Sequence, residues 1–93
     1  MRLSQEKRDK ISEQILHYLF SVSPEMKFTA EIARDIARDE EFTKFLLKEL
    51  KSKELVVEIN KNNSGLDYTK RKRWRLSNQA YSAYKNHQSQ QNL

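Results

Sequence analysis

The chain contains no cysteine, which excludes a disulfide framework and a thiolate metal site together. The same absence fits a reducing cytosol. Glycine and proline occur once each, leaving few tight turns and pointing to a mainly helical fold. A single glycine also rules out a glycine-rich phosphate loop. No apolar run approaches the ~20 residues of a membrane span, and Met1-Arg2-Leu3-Ser4-Gln5-Glu6 lacks the apolar core of a signal peptide, so a cytoplasmic protein is expected. His17 and His87 are the only histidines, and neither sits in a nucleophile-elbow or HExxH pattern. No enzyme, no cofactor and no metal is expected.

What the chain does have is charge. Of its 93 residues 33% are charged and 37% hydrophobic, the balance of one small globular domain with a highly charged exterior. That domain is expected over residues 1–86, with a disordered tail over residues 87–93. The net charge of +5 is not spread evenly. Residues 1–50 carry 9 basic and 10 acidic side chains, residues 51–76 carry 8 and 3, and residues 77–93 carry 1 and 0. A focused excess of this kind steers and binds a polyanion better than the same charge dispersed. Its densest part is Lys70-Arg71-Lys72-Arg73-Trp74-Arg75-Leu76, with five cations in the first six residues.

Periodicity places these residues on elements. Ile11, Ile15, Tyr18, Leu19 and Val22 form one face of a first helix, capped by Ser4 and ended by Ser23-Pro24. Lys27-Phe28-Thr29 is a short extended link, with Thr29 capping a second helix from Ala30 to about Arg38 that buries Ile32, Ala33, Ile36 and Ala37. Asp39 caps a third helix from Glu40 to about Lys53, with Glu40 and Glu41 at the positive end of its dipole. Phe42, Leu46, Leu47 and Leu50 are its inner side, and Lys44, Lys48 and Lys51 lie on another face. A strand follows in which Leu55, Val57 and Ile59 alternate with Val56, Glu58 and Asn60, then a turn at Asn62-Asn63-Ser64-Gly65. On the return strand Trp74 and Leu76 alternate with Arg73 and Arg75. A two-residue tip at Ser64-Gly65 puts Val57 and Ile59 on the face of Trp74 and Leu76. Ser77 caps a last helix with Ala80, Tyr81 and Tyr84 on its apolar side.

Helix, helix, helix, ribbon, helix is the order of a winged helix-turn-helix, and over about residues 8–86 the chain resembles that superfamily, comparable to small MarR-like or ArsR-like regulators. Phe45-Leu46-Leu47-Lys48-Glu49-Leu50-Lys51-Ser52-Lys53-Glu54-Leu55-Val56 is similar to its recognition-helix end and following strand, and Trp74-Arg75-Leu76-Ser77 to its wing exit. Glu54 stands where the family usually has glycine, so a helix end other than the left-handed one is expected. No glycine separates helices two and three, where Arg38-Asp39 must turn. The resemblance implies a mainly α fold with a small β ribbon: a three-helix core, a two-stranded wing and a C-terminal helix. It further implies a double-stranded DNA-binding transcriptional regulator, with helix three in the major groove and the wing on the flanking backbone. The residues that suit those tasks are Thr43, Lys44, Lys48 and Lys51 on the helix, and Lys61, Asn62, Asn63, Lys70, Arg71, Lys72, Arg73 and Arg75 on the wing.

Plainer roles stand beside these. Lysine on a strand can merely discourage sheet-to-sheet pairing, although three arginines and two lysines together exceed that need. Trp74 belongs by parity to the core rather than to a base stack. Asp39, Glu40 and Glu41 do not converge on one helix face and act as a cap rather than a metal cluster. Tyr18, Phe20, Tyr81 and Tyr84 are candidates for a homodimer interface, or pack inside one chain. Two rival functions remain: a protein-interaction winged helix whose basic ribbon meets an acidic partner in a transcription or replication assembly, and an RNA-binding module. The second normally exposes aromatics for stacking, and Trp74 is expected to turn inward.

Overall fold

The computed structural model describes residues 4–59 and 72–91, with side chains to residue 87. Helix α1 (Gln5–Val22) begins where Ser4 accepts from the Lys7 amide, and it ends at Ser23, whose amide donates to the Phe20 carbonyl. It buries Ile11, Ile15, Leu16 and Leu19. Strand β1 (Lys27–Phe28) leads directly into α2 (Thr29–Ile36), and α3 (Glu40–Ser52) follows. Strands β2 (Val56–Ile59) and β3 (Arg73–Leu76) form the ribbon, and α4 (Asn78–Gln91) closes the chain. The helix-helix-helix-ribbon-helix order of a winged helix is therefore present.

Caps at two of the helices follow from single side chains. The Asp39 carboxylate accepts from the Phe42 amide at 3.0 Å, and the Ser77 hydroxyl accepts from the Ala80 amide at 3.1 Å. Each satisfies one of the donors a helix start leaves unpaired. At α2 the expected cap is corrected. Thr29 lies inside the helix, the cap position is Phe28, and the Glu31 carboxylate reaches back to the Phe28 amide at 2.8 Å. The Thr29 hydroxyl is thereby left for the Trp74 indole, which donates to it at 2.8 Å.

The link expected at Lys27-Phe28 is a third strand. The sheet order is β1-β3-β2, so β3 is central and the expected two-stranded ribbon gains a partner on its other side. Lys27 lies opposite Trp74 and Phe28 opposite Arg73. The expected pairing of β2 with β3 is also corrected. Val56 lies opposite Leu76 and Glu58 opposite Trp74, so Val56 and Glu58 share the core face. Val57 and Ile59 share the reverse face with Arg75 and Arg73. A change of parity moves every side chain of a strand to the other face. The adjacent valines made both faces apolar enough, and the inward Glu58 is tolerated because two lysines meet it. The expected tip at Ser64-Gly65 lies outside the described residues.

Both ends without glycine close in the left-handed region. Ala37 has φ 56° and Glu54 φ 63°. Beyond them the Arg38 amide donates to Ala33 O at 2.9 Å and the Leu55 amide to Leu50 O at 3.0 Å, the closure usual when glycine occupies that position. The expectation that Glu54 would end α3 otherwise is overturned. Ala37, expected inside, is exposed because it forms this turn. The left-handed conformation costs a residue with a Cβ roughly 1–2 kcal/mol, which the packing on either side offsets.

One cluster forms the core: α1, Ile32 of α2, Leu46, Leu47 and Leu50 of α3, and Val56, Trp74, Leu76 and Ala80. Trp74, Ile15, Ile32, Leu46 and Leu47 are all 0% exposed. Helix α4 continues to Gln91, past His87, where a disordered tail was expected to begin.

Candidate nucleic-acid interface

The basic surface starts from how α3 is turned. Thr43, Leu46, Leu47 and Leu50 are buried, and at 100° per residue that face leaves Glu41, Phe45, Lys48 and Ser52 along the opposite crest, with Lys44 and Lys51 on one flank. Lys48 and Lys51 are exposed and Lys44 is half-buried. Thr43 is a correction. It is 0% exposed and its hydroxyl donates to Asp39 O at 2.8 Å, so it completes the helix start and reaches no ligand. The residue that sequence reasoning missed is Phe45, 47% exposed on the crest. Its signal was present: one apolar side chain out of phase with the leucines.

The described part of the ribbon is split by the pleat. Lys72, Trp74 and Leu76 alternate with Arg73 and Arg75, so Lys72 stands on the side of the sheet that faces α3. Glu58, its side chain 10% exposed, joins the two elements: one oxygen lies 3.3 Å from the Lys51 Nζ of α3 and the other 3.3 Å from the Lys72 Nζ. Burial acts to raise the Glu58 carboxyl, but hydrogen bonds from Lys72 and Lys51 outweigh it and hold the group below the usual carboxylate range. The α3 flank and the foot of β3 are thus one basic surface with a carboxylate set into it.

Arg73 and Arg75 lie on the reverse face and are half-buried. The Arg73 guanidinium stands 5.9 Å from the Phe28 ring centroid, within cation–π range. Arg75 donates to Leu76 O at 2.9 Å and lines a groove of about 480 Å³ with Pro24, Met26 and Tyr81 among others. Lys61, Asn62, Asn63, Lys70 and Arg71 lie outside the described residues. Trp74 is fully buried, as parity required, and offers no stacking surface.

The aromatic set proposed for a dimer divides. Phe20 packs on Tyr81 with ring centroids 5.3 Å apart and on Tyr84 at 5.6 Å, joining α1 to α4 within one chain. The Tyr84 hydroxyl donates to the Glu13 carboxylate at 3.1 Å. Burial first, then the Glu13 charge and the hydrogen bond to it, push the Tyr84 phenol up to about 12. Tyr18 stands apart from that set, and its phenol is raised chiefly by burial. Among the described residues no group of acidic or histidine side chains could hold a metal ion, and no helix is long and apolar enough to cross a membrane.

No protein-family model and no curated relative matches the sequence. Solved structures do. The chain is similar to the crystal structure of an S. aureus MepR–DNA complex, with a TM-score of 0.72 and 21% identity over 90% of this chain and 66% of that one. It is similar to S. aureus MepR in a DNA-binding conformation, at 0.68 and 18% over 90% of this chain and 62% of that one. It also resembles Lactococcus lactis ZitR, a zinc-responsive MarR family member, at 0.60 and 20% over 96% of this chain and 54% of that one. The chain thus spans about half to two thirds of the length of the proteins it matches. What is shared at these identities is the fold.

Proposed function

From the premise that this chain has the MarR-like winged-helix fold of MepR and ZitR, we propose that it binds double-stranded DNA as a small transcriptional regulator. Helix α3 lies in the major groove, with Lys48 on the crest toward the base edges and Lys44, Lys51 and Lys72 toward the phosphates on one side. Contacts to the flanking backbone are assigned to Lys61, Asn62, Asn63, Lys70 and Arg71 on their charge and polarity alone, while Arg73 and Arg75 lie on the reverse of the sheet. The observation that carries this reading is Glu58 held between Lys51 and Lys72, which supports treating the recognition helix and the wing as one cationic surface rather than two. The likeness to a protein solved on DNA supports it independently.

The test is the salt dependence of binding to a random duplex pool. If about five phosphates are neutralised, log K falls with log salt at a slope of roughly -4 to -5. Binding indifferent to salt, or none at physiological salt, refutes the proposal. The reading includes a homodimer that uses the half-buried Tyr81 and Tyr84 edge of α4, since paired half-sites give a winged helix its register. A monomer mass in sedimentation at working concentrations refutes that part, and a palindrome enriched from random duplexes supports it.

A further inference from the structure

Phe45 is the unexplained feature of the surface. It is 47% exposed, on a helix whose buried face is already filled by Leu46, Leu47 and Leu50. It stands one turn after Glu41 and one turn before Lys48 and Glu49, on the crest opposite the core. A helix with its side chains is about 10–12 Å across and the major groove about 12 Å wide and 8.5 Å deep. Side chains on the flanks of a seated helix therefore reach the phosphate walls, and those on the crest reach the base edges. Lys44 and Lys51 occupy the flank.

A phenyl ring has no hydrogen-bonding group. Of the features that the four bases present in the major groove, the one it can match is the C5-methyl of thymine. The other groups recognised there are donors and acceptors that the ring would desolvate without replacing their water, and the bare C5–H of cytosine offers it less apolar area than the methyl. We infer that Phe45 is a specificity-determining residue that reads a thymine methyl from the crest of α3. This rests on the DNA-binding reading above and extends it to a base preference.

Two pools of random duplexes built only from A·T pairs, identical except that one carries deoxyuridine in place of thymidine, isolate the methyl group. Binding of the full chain to each is measured by anisotropy at one fixed salt concentration. The wild-type chain is expected to favour the thymine pool about fourfold for each methyl buried, the ratio to which ~0.8 kcal/mol per carbon corresponds. Phe45→Ala should bind both pools alike, and Phe45→Leu, still apolar, should keep most of the preference. Equal wild-type affinity for the two pools overturns the inference while leaving DNA binding intact, as does a preference that survives in Phe45→Ala. Self-association lost in Phe45→Ala with no thymine preference overturns it in favour of a contact with a second copy. Binding to neither pool overturns the DNA reading and this inference with it.

Discussion

Replacing Glu58 by glutamine removes one charge from between two lysines and leaves the shape of the side chain unchanged. Each Nζ lies 3.3 Å from a carboxylate oxygen, and the three side chains are 10%, 54% and 28% exposed for Glu58, Lys51 and Lys72. Exposed pairs measure about 0.2–1 kcal/mol, and the screening of Lys51 by solvent keeps this pair of contacts in the upper part of that range rather than beyond it. Glu58→Gln should therefore lower stability at pH 7 by up to about 1 kcal/mol. The sign with pH follows from the depressed carboxyl: its stabilisation is complete above the ordinary value of 4.5 and is lost as pH falls through the lower folded value. Urea unfolding at neutral pH and near pH 3, read by the single tryptophan, should show the wild type more stable at the first and the two chains converging at the second. On DNA the same substitution frees both ammonium groups, and the salt slope should steepen by up to about 2. Equal stability at pH 7, or a difference unchanged down to pH 3, refutes the account of the clamp. An unchanged salt slope refutes the masking of the lysines.

Thr29→Val keeps the side-chain shape but strips the acceptor from the buried Trp74 indole. It should cost about 1–3 kcal/mol, seen as a lower urea midpoint, and an unaltered midpoint would show the bond to be worth nothing. Glu54→Gly relieves a left-handed residue at φ 63° but frees the unfolded chain. The net expectation is a gain of up to about 1 kcal/mol, and a loss of stability would mean that Glu54 is held by something other than its backbone. Since the Tyr84 phenol is raised from 10.0 to about 12, chiefly by burial and then by Glu13, its contribution is intact below pH 10 and lost as pH rises toward 12; Tyr84→Phe should flatten that alkaline limb, and an unchanged limb would refute the raised phenol.

Much of the helical frame was legible because its determinants are local. Ser4, Asp39 and Ser77 each cap the helix that follows within three residues, and the leucines of α3 repeat at helical spacing. The β ribbon was legible in existence but not in register, because Val56-Val57 satisfies either parity. The choice was made by Glu58, whose inward position is stable only beside Lys51 and Lys72 from two other elements. Strand β1 was missed for a similar reason. Two residues carry no periodicity, and Lys27-Phe28 becomes a strand only because the edge of β3 lies beside it. Thr29 looked like a cap since nothing in the local sequence reveals an indole 45 positions away.

For the candidate interface the division is the same. Composition and segment charge by themselves determined that the basic excess lies between residues 51 and 76, and helical spacing determined that the lysines of α3 lie toward one side of that helix. Tertiary structure decided which cations stand together: Lys72 with Lys51 on the α3 side, Arg73 and Arg75 on the reverse. It also decided that Thr43 is core and Phe45 is surface. Periodicity gives each residue a direction relative to its own element, whereas the orientation of one element toward another is set by long-range packing and pairing that no local window contains.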